Sequence, residues 1–168
     1  MDELNRKTVE EFKQAEKHTI IVVLDNIRSA YNVGSIFRTA DAFLIECIFV
    51  CGYTPPPTHR QVHKTALGAV DTVDWMQFDN IADAISQLKE NGYEVYAIEQ
   101  AEKSISLEKI NESSGKKIAV ILGNEVVGVQ DAAMLQADGC IEIPQQGMKH
   151  SLNVSVAAGI VLWKLVHG

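Results

Sequence analysis

The chain has 168 residues, 46% of them hydrophobic, which fits one domain with a sizeable core and excludes extensive disorder. No apolar run approaches the roughly 18 residues of a membrane span, and the polar N-terminus shows no signal-peptide core. The net charge of −7 argues only weakly against a nucleic-acid partner, because basic residues can cluster locally.

Cysteine and histidine usage bears on the compartment and on metals. Cys47, Cys51 and Cys140 are an odd number in unlike contexts, which predicts free thiols in a reducing cytoplasm. His59 and His63 lie four residues apart and near Cys51, but the sequence offers no obvious fourth ligand. We therefore predict a cytoplasmic protein without a metal ion.

Strands and helices alternate along the predicted chain. An exposed N-terminal helix is predicted over 2–17, with Asp2 as a candidate N-cap. The strands are predicted over 19–24, 45–50, 73–78, 93–98, 118–122 and 140–143. The helices that follow them are predicted over 33–43, 61–67, 81–89, 131–136 and 152–166. This alternation predicts a single α/β domain with a mostly parallel sheet flanked by helices.

Polar turns follow the first, fifth and sixth predicted strands, and ligands of open parallel sheets bind outside the carboxyl ends of strands. Arg38, beside an apolar helical stripe, needs an acceptor, which a carboxylate such as Asp41 or Glu125 could supply. The other polar side chains could simply cap helices: Asn32, Glu125, Ser151 and Asn153. No GxGxxG follows the first strand and no GxxxxGK[ST] occurs, which argues against a dinucleotide fold and a P-loop.

Three motifs in order and spacing resemble one known family. They read N-x-G-x-x-x-R over 32–38, G-N-E-x-x-G over 123–128 and I-P-x-x-G-x-x-x-S-L-N-V over 143–154. Together they resemble motifs 1, 2 and 3 of the SpoU/TrmH family in the SPOUT superfamily of RNA methyltransferases, from about residue 19 to the C-terminus. Gln145 departs from the pattern, because the family commonly has Met there, and it adds an amide beside the cofactor pocket.

The resemblance implies a fold, a cofactor and a reaction. The fold would thread a trefoil knot within about residues 93–168, and the turns after the fourth, fifth and sixth strands would form a pocket for S-adenosylmethionine. Family members are usually homodimers whose active site is completed across the interface. The reaction would be methyl transfer to a ribose 2′-hydroxyl of RNA, with tRNA favoured over ribosomal RNA. A base methyltransferase and a non-catalytic RNA- or S-adenosylmethionine-binding module remain alternatives.

The resemblance also implies site residues, motif by motif. Arg38 matches the family's catalytic arginine, and the matching supporting residues are Asn32, Glu125, Ser151 and Asn153. Contacts with the methyl donor are expected from Glu99, Gly123, Ile143, Pro144, Gly147, Ser151 and Leu152. With only a short helix ahead of the catalytic domain, RNA recognition is expected from the domain surface or the dimer. The basic residues expected to bind RNA lie in or beside polar loops and are Arg28, Arg60, Lys64 and Lys149.

Overall fold

The computed structural model describes residues 4–149 and 151–168, and their centre is one parallel sheet. Its strands are β1 (His18–Asp25), β2 (Ile45–Cys51), β3 (Asp74–Phe78), β4 (Glu94–Ile98), β5 (Ile105–Ser106), β6 (Ile118–Leu122) and β7 (Gly139–Glu142). The helices are α1 (Val9–Gln14), α2 (Ala30–Ala42), α3 (Arg60–Ala66), α4 (Ala69–Thr72), α5 (Ile81–Glu90), α6 (Asp131–Gln136) and α7 (Val154–His167). The strand order is β3-β2-β1-β6-β4-β7-β5, with neighbours parallel.

This architecture confirms the predicted α/β fold with a mostly parallel sheet. All six predicted strands are present, with ends that differ by at most about one residue, as is usual for element boundaries. The sequence missed β5, which is only two residues long and pairs Ile105 with Ile141 of β7. Two residues are too few to show the alternation by which a strand is recognised.

The predicted helix starts needed correction. Helix α1 is shorter than predicted because Thr8 caps it in a capping box with Glu11, and Asp2 lies outside the described residues. Helix α2 begins at Ala30, since the Ser29 hydroxyl accepts from the Asn32 N–H, so Asn32 lies inside the helix and does not cap it. In both helices the start is set by a hydroxyl oxygen that accepts from the backbone N–H three residues later in the chain.

Apolar side chains pack on both faces of the sheet. In β1, Ile20, Val22 and Leu24 face the cluster under α1 to α4 and α7, whereas Ile21 and Val23 face the cluster under α5 and α6. Strands buried on both faces explain the continuous apolar runs in the sequence. Within the described ranges, none of the helices has the length and apolarity needed to cross a bilayer.

The strand order determines where a site can form. Strands β1 and β6 are neighbours, but the chain leaves β1 towards β2 on one side and leaves β6 towards β7 on the other. Such a reversal opens a crevice beyond the carboxyl ends of the two strands. The turns over 26–29 and 123–130 lie at this crevice.

Candidate active site

Asn124 holds the turn after β6 in one conformation. Its side chain is buried, and its Nδ2 donates to the Asn26 carbonyl and to the Tyr53 hydroxyl, both at 2.9 Å. Its Oδ1 accepts from the N–H groups of Val126 at 2.9 Å and Val127 at 3.0 Å. Because every polar atom of this amide has a partner, the turn is fixed both internally and to the β1 and β2 loops.

Glu99, at the end of β4, ties a third loop to the same turn. Its carboxylate accepts from the N–H groups of Gln100 at 3.1 Å and Val129 at 3.3 Å. Gly128, at φ +74°, makes room for this carboxylate, since a Cβ there would stand 2.3 Å from Glu99 Oε2. The loops after β4 and β6 therefore meet through a carboxylate that was predicted from the sequence to contact the methyl donor.

Glu125 joins the β6 turn to the start of α2. Its carboxylate accepts from the N–H groups of Arg28 at 3.0 Å and Ser29 at 3.1 Å, and from Asn32 Nδ2 at 3.2 Å. Partial burial raises the pKa of Glu125, but these hydrogen bonds outweigh it and hold the pKa below its ordinary value. Glu125 is therefore an ionised acceptor at neutral pH. It binds the N-terminus of α2, which is the helix-capping role that the sequence allowed for it.

Asn32 and Asn153 extend this connection to α7. Asn153 Nδ2 donates to Asn32 Oδ1 at 3.2 Å, so the Asn32 amide is oriented by an acceptor on one side and a donor on the other. Asn153 is also the N-cap of α7, because its Oδ1 accepts from Ser155 N–H at 2.9 Å. This selects Asn153, and not Ser151, as the cap. The structure thus joins one residue of each motif into a hydrogen-bonded series, Glu125–Asn32–Asn153, named here the polar relay.

The two functions of Asn153 can be separated by substitution. Asn153→Asp keeps an oxygen to cap α7 but removes the donor to Asn32, whereas Asn153→Ala removes both. We expect Asn153→Ala to lower the free energy of unfolding by about 0.5–2 kcal/mol and Asn153→Asp to change it far less. The family resemblance implies a supporting role for Asn153 in methyl transfer, so both variants are expected to lose turnover, measured as methyl incorporation beside urea unfolding. Full turnover of a stable Asn153→Asp variant would contradict a catalytic use of the relay.

A cavity of ≈450 Å³ opens beside the polar relay. Its size falls in the range of about 300–1,000 Å³ that is typical of small-molecule sites. The apolar part of its wall consists of Ile98, Leu122, Val126, Val127, Ile143, Leu152, Val154 and Ala157. The remaining wall is polar or backbone and consists of Glu99, Gln100, Gly123, Asn124, Glu125, Gly128, Gln145, Ser151 and Asn153.

Most of the predicted cofactor residues line this cavity. Glu99, Gly123, Ile143, Ser151 and Leu152 do so, whereas Pro144 and Gly147 are exposed and outside the wall. The wall also includes residues that sequence reasoning did not assign, among them Ile98, Asn124 and Ala157. Asn124 belongs to the second motif, whereas the only sequence signal of Ile98 and Ala157 was position, at a strand end and on the first turn of α7. Gln145, the departure from the family pattern, lies in the wall.

Arg38 lies apart from the cavity within one chain. Its side chain is exposed on α2, and it lies six residues after Asn32, or about 9 Å along the helix axis. Among the described residues it forms no ion pair, so the structural alternative, a pairing with a carboxylate such as Asp41 or Glu125, is not formed. Asp41 instead accepts from the Thr72 hydroxyl, and Glu125 binds the start of α2.

The predicted RNA-binding residues are all exposed. Arg60 and Lys64 lie one turn apart on α3, and Lys149 lies in the turn before α7. Arg28 follows β1, and its backbone binds Glu125 while its side chain lies on the surface. Their exposure permits contact with RNA, and their individual roles stay predictions.

Comparison with known proteins gives the family. A family model described as the SpoU rRNA Methylase family matches residues 19–163. This chain belongs to the SpoU family. The chain is 36% identical over 157 residues to an uncharacterized tRNA/rRNA methyltransferase of Borreliella burgdorferi, covering 94% of this chain and 67% of the relative. It is 33% identical over 163 residues to the tRNA (guanosine(18)-2′-O)-methyltransferase of Thermus thermophilus, covering 96% and 81%.

Solved structures agree with the SpoU assignment. The crystal structure of an AdoMet-bound rRNA methyltransferase from Sinorhizobium meliloti superposes with a TM-score of 0.82 at 28% identity, over 92% of this chain and 59% of that one. A TrmH/SpoU tRNA modifying enzyme of A. aeolicus superposes with a TM-score of 0.81 at 27% identity, over 94% and 78%. The predicted SpoU/TrmH resemblance is confirmed, and this chain spans only part of the length of these longer relatives.

Proposed function

We propose that this SpoU-family chain transfers a methyl group from S-adenosylmethionine to a ribose 2′-hydroxyl of RNA, with tRNA the favoured substrate. The observation that carries the proposal is the polar relay, Glu125–Asn32–Asn153, whose two ends, Glu125 and Asn153, lie in the wall of a cavity built by turns after parallel strands. The names of the relatives support the same reaction, since one is a tRNA 2′-O-methyltransferase and a structural relative binds AdoMet.

The cavity fits S-adenosylmethionine in size and in chemistry. Ile143, Leu152 and Ala157 would enclose a flat, largely apolar adenine, and the Glu99 carboxylate has acceptor sites left for ribose hydroxyls. Gly123 and Gly128 bring the backbone of the β6 turn to the wall. When bound, S-adenosylmethionine supplies a methyl group on a sulfonium cation.

The residues of the chain would prepare the sugar hydroxyl. A ribose hydroxyl is a weak nucleophile until its proton is taken up and its oxygen is aligned. A guanidinium normally stays protonated, so Arg38 is best used to orient the ribose and its adjacent phosphate through its planar fork, while the hydroxyl proton passes to water as the oxygen takes up the methyl group. The polar relay holds the β6 turn, α2 and α7 in fixed positions around the reacting atoms.

A homodimer is part of this proposal. The small residues of α7 could either permit close packing between subunits or simply fit the core; Ala158 is buried in the core and Ala157 lines the cavity. The exposed surface of α7 instead carries Val156, Ile160 and Trp163 in one stripe. An apolar stripe of this kind is typical of a face covered by a partner.

The same dimer would place Arg38 at the interface. Helices α2 and α7 run side by side, from the Asn32–Asn153 contact at one end to the Phe43–Trp163 ring contact at the other. Arg38 is exposed midway along α2, and we infer that it lies on the surface that this second copy would cover. A second copy covering this surface brings Arg38 of one subunit towards the site of the other, as the family resemblance implied.

A charge in the stripe should break the dimer. We expect the wild-type protein to have twice the chain mass of 18.5 kDa in light scattering, and Ile160→Asp to weaken the dimer about 30-fold or more. Leu135→Asp is the matched control, because Leu135 is 87% exposed on α6, away from α7. A wild-type mass of one chain at micromolar concentration would contradict the dimer.

Cysteine chemistry supports the proposed cytoplasmic location. Cys47, Cys51 and Cys140 are free and buried, which confirms the predicted free thiols. Burial raises the pKa of Cys47 and of Cys51 to about 12, so neither thiol is a nucleophile at neutral pH.

The reaction can be tested directly. The protein would be incubated with methyl-labelled S-adenosylmethionine and, separately, with undermodified tRNA and ribosomal RNA, and the labelled nucleoside identified after digestion. We expect label in a 2′-O-methyl nucleoside from tRNA. Label on a base would replace the proposed reaction with base methylation. Cofactor binding with no label from either RNA would favour the non-catalytic module.

A further inference from the structure

Tyr53, in the loop after β2, has a fixed backbone and an exposed ring. Its N–H donates to Asn26 Oδ1 at 3.1 Å, and the next residue, Thr54, is 2% exposed. The Thr54 hydroxyl accepts from Ile27 N–H at 3.0 Å and donates to the Cys51 carbonyl at 2.8 Å. Despite this anchoring, the Tyr53 side chain is 61% exposed.

The neighbouring backbone is shaped to hold Tyr53 in this position. Asn26 has a left-handed backbone with φ +53°, and its amide oxygen occupies the space that a Cβ of Gly52 would fill, 1.9 Å away. The ring itself is fixed at its far end, because Asn124 Nδ2 donates to the Tyr53 hydroxyl. An aromatic face is thus presented to solvent in one orientation, which lowers the entropy lost when it binds a partner.

The ring forms one wall of a second groove, of ≈410 Å³, called here the Tyr53 groove. Its other lining residues are Arg28, Asn124, Val126 and Val127, and the last three also line the main cavity. Val126 and Val127 are 82% and 76% exposed, although they are apolar. The groove adjoins Glu125, which binds the Arg28 N–H.

We propose that the Tyr53 groove binds the base of the RNA nucleotide whose ribose is methylated. The base stacks on the Tyr53 ring, the side chains of Val126 and Val127 form the opposite apolar wall, and the Arg28 guanidinium binds an adjacent phosphate. Unpaired RNA bases are recognised by stacking on aromatic rings, and an arginine suits a phosphate. An apolar groove with a cation at its edge, next to the polar relay, matches a nucleotide better than an apolar protein segment. This inference rests on the proposed function and adds the subsite that receives the target base.

Tyr53→Ala tests the stacking. With a tRNA transcript that the wild-type protein methylates, we expect KM for the RNA to rise about 5- to 150-fold, with kcat and the Kd for S-adenosylmethionine within about 2-fold. Tyr53→Phe keeps the stacking ring and loses only the hydroxyl that orients it, so KM should rise much less than for Tyr53→Ala. Tyr31→Ala is the matched control, since Tyr31 is 58% exposed on α2 and does not line the groove.

The outcomes separate the groove from the reaction. If Tyr53→Ala leaves KM unchanged while the wild-type protein methylates RNA, the subsite is wrong and the proposed function stands. If the wild-type protein binds the transcript without methylating it, and Tyr53→Ala weakens that binding, the groove stands as a site for an RNA base and the proposed reaction falls. An equal rise in KM for Tyr31→Ala, or a changed subunit mass for Tyr53→Ala, would overturn the subsite, the latter in favour of a subunit contact.

Discussion

Replacing Arg38 with Lys is expected to lower kcat for methyl transfer by about 10²- to 10⁴-fold, the range of a missing proton-transfer or orienting group. Lysine keeps the positive charge but cannot form the planar two-point contact that a guanidinium makes with a phosphate and a sugar. Because Arg38 forms no ion pair among the described residues and is exposed, the change should leave the free energy of unfolding and the Kd for S-adenosylmethionine unchanged. Single-turnover methylation measures the rate of methyl transfer, and calorimetric titration measures the Kd for S-adenosylmethionine.

The control for this substitution is Arg6→Lys, an equally conservative change at an exposed arginine ahead of α1. It should leave kcat within about 2-fold, as surface changes usually do. Full turnover of Arg38→Lys would show that the guanidinium geometry is not needed and would contradict the proposed role.

Mixing two inactive variants tests whether Arg38 acts across the dimer. An Arg38→Lys subunit supplies an intact Asn153, and an Asn153→Asp subunit supplies an intact Arg38. If Arg38 acts in the site of the partner subunit, randomly mixed dimers recover about a quarter of wild-type activity, since half are mixed and each has one complete site. If Arg38 acts within its own subunit, mixing recovers nothing.

Gly123→Ala is expected to lower kcat/KM about 100-fold and the free energy of unfolding by about 1–3 kcal/mol. A Cβ at this position would stand 2.2 Å from Val129 N and 2.3 Å from Gly128 C. These are backbone atoms, so no side-chain rotation relieves the clash, and the turn that carries Asn124 and Glu125 must move. Urea unfolding and calorimetry with S-adenosylmethionine would show the loss of stability and of cofactor affinity.

Gly159→Ala is the matched control for this prediction. Gly159 lies inside α7, where an added Cβ meets no atom within 4 Å, so the substitution should raise the free energy of unfolding by about 0.5–1 kcal/mol. Cofactor affinity of Gly123→Ala at the wild-type level would contradict the importance of the β6 turn for the cavity.

The sequence was informative wherever neighbouring residues determine the outcome. Strand β6 and helix α6 occur over the residues predicted. A fully buried strand is recognised as a continuous apolar run, and a helix is recognised by apolar residues that recur every three to four positions. Helix starts were less certain, since Ser29 and Asn32 are both good caps by residue type. Only the observed Ser29–Asn32 hydrogen bond distinguishes them.

The interpretation of Arg38 shows where such reasoning ends. Its angle on α2 suggested contact with a carboxylate, yet the two candidates bind other groups. Local patterns could not predict the bonds of the polar relay either. The Asn32–Glu125 bond joins residues 93 apart, and the Asn32–Asn153 bond joins residues 121 apart. The trefoil knot and the individual roles of the site residues stay predictions.

By itself the sequence determined the parallel α/β class, the three motifs and, through them, the SpoU family, because apolar runs and motif spacing are properties of local chain order. The tertiary structure alone decided which polar residues meet, that Arg38 is exposed, and that α7 presents Val156, Ile160 and Trp163 in place of its small residues. The physical reason is the order of the sheet: placing β6 between β1 and β4 brings distant turns to one crevice, and that order results from packing of the whole chain.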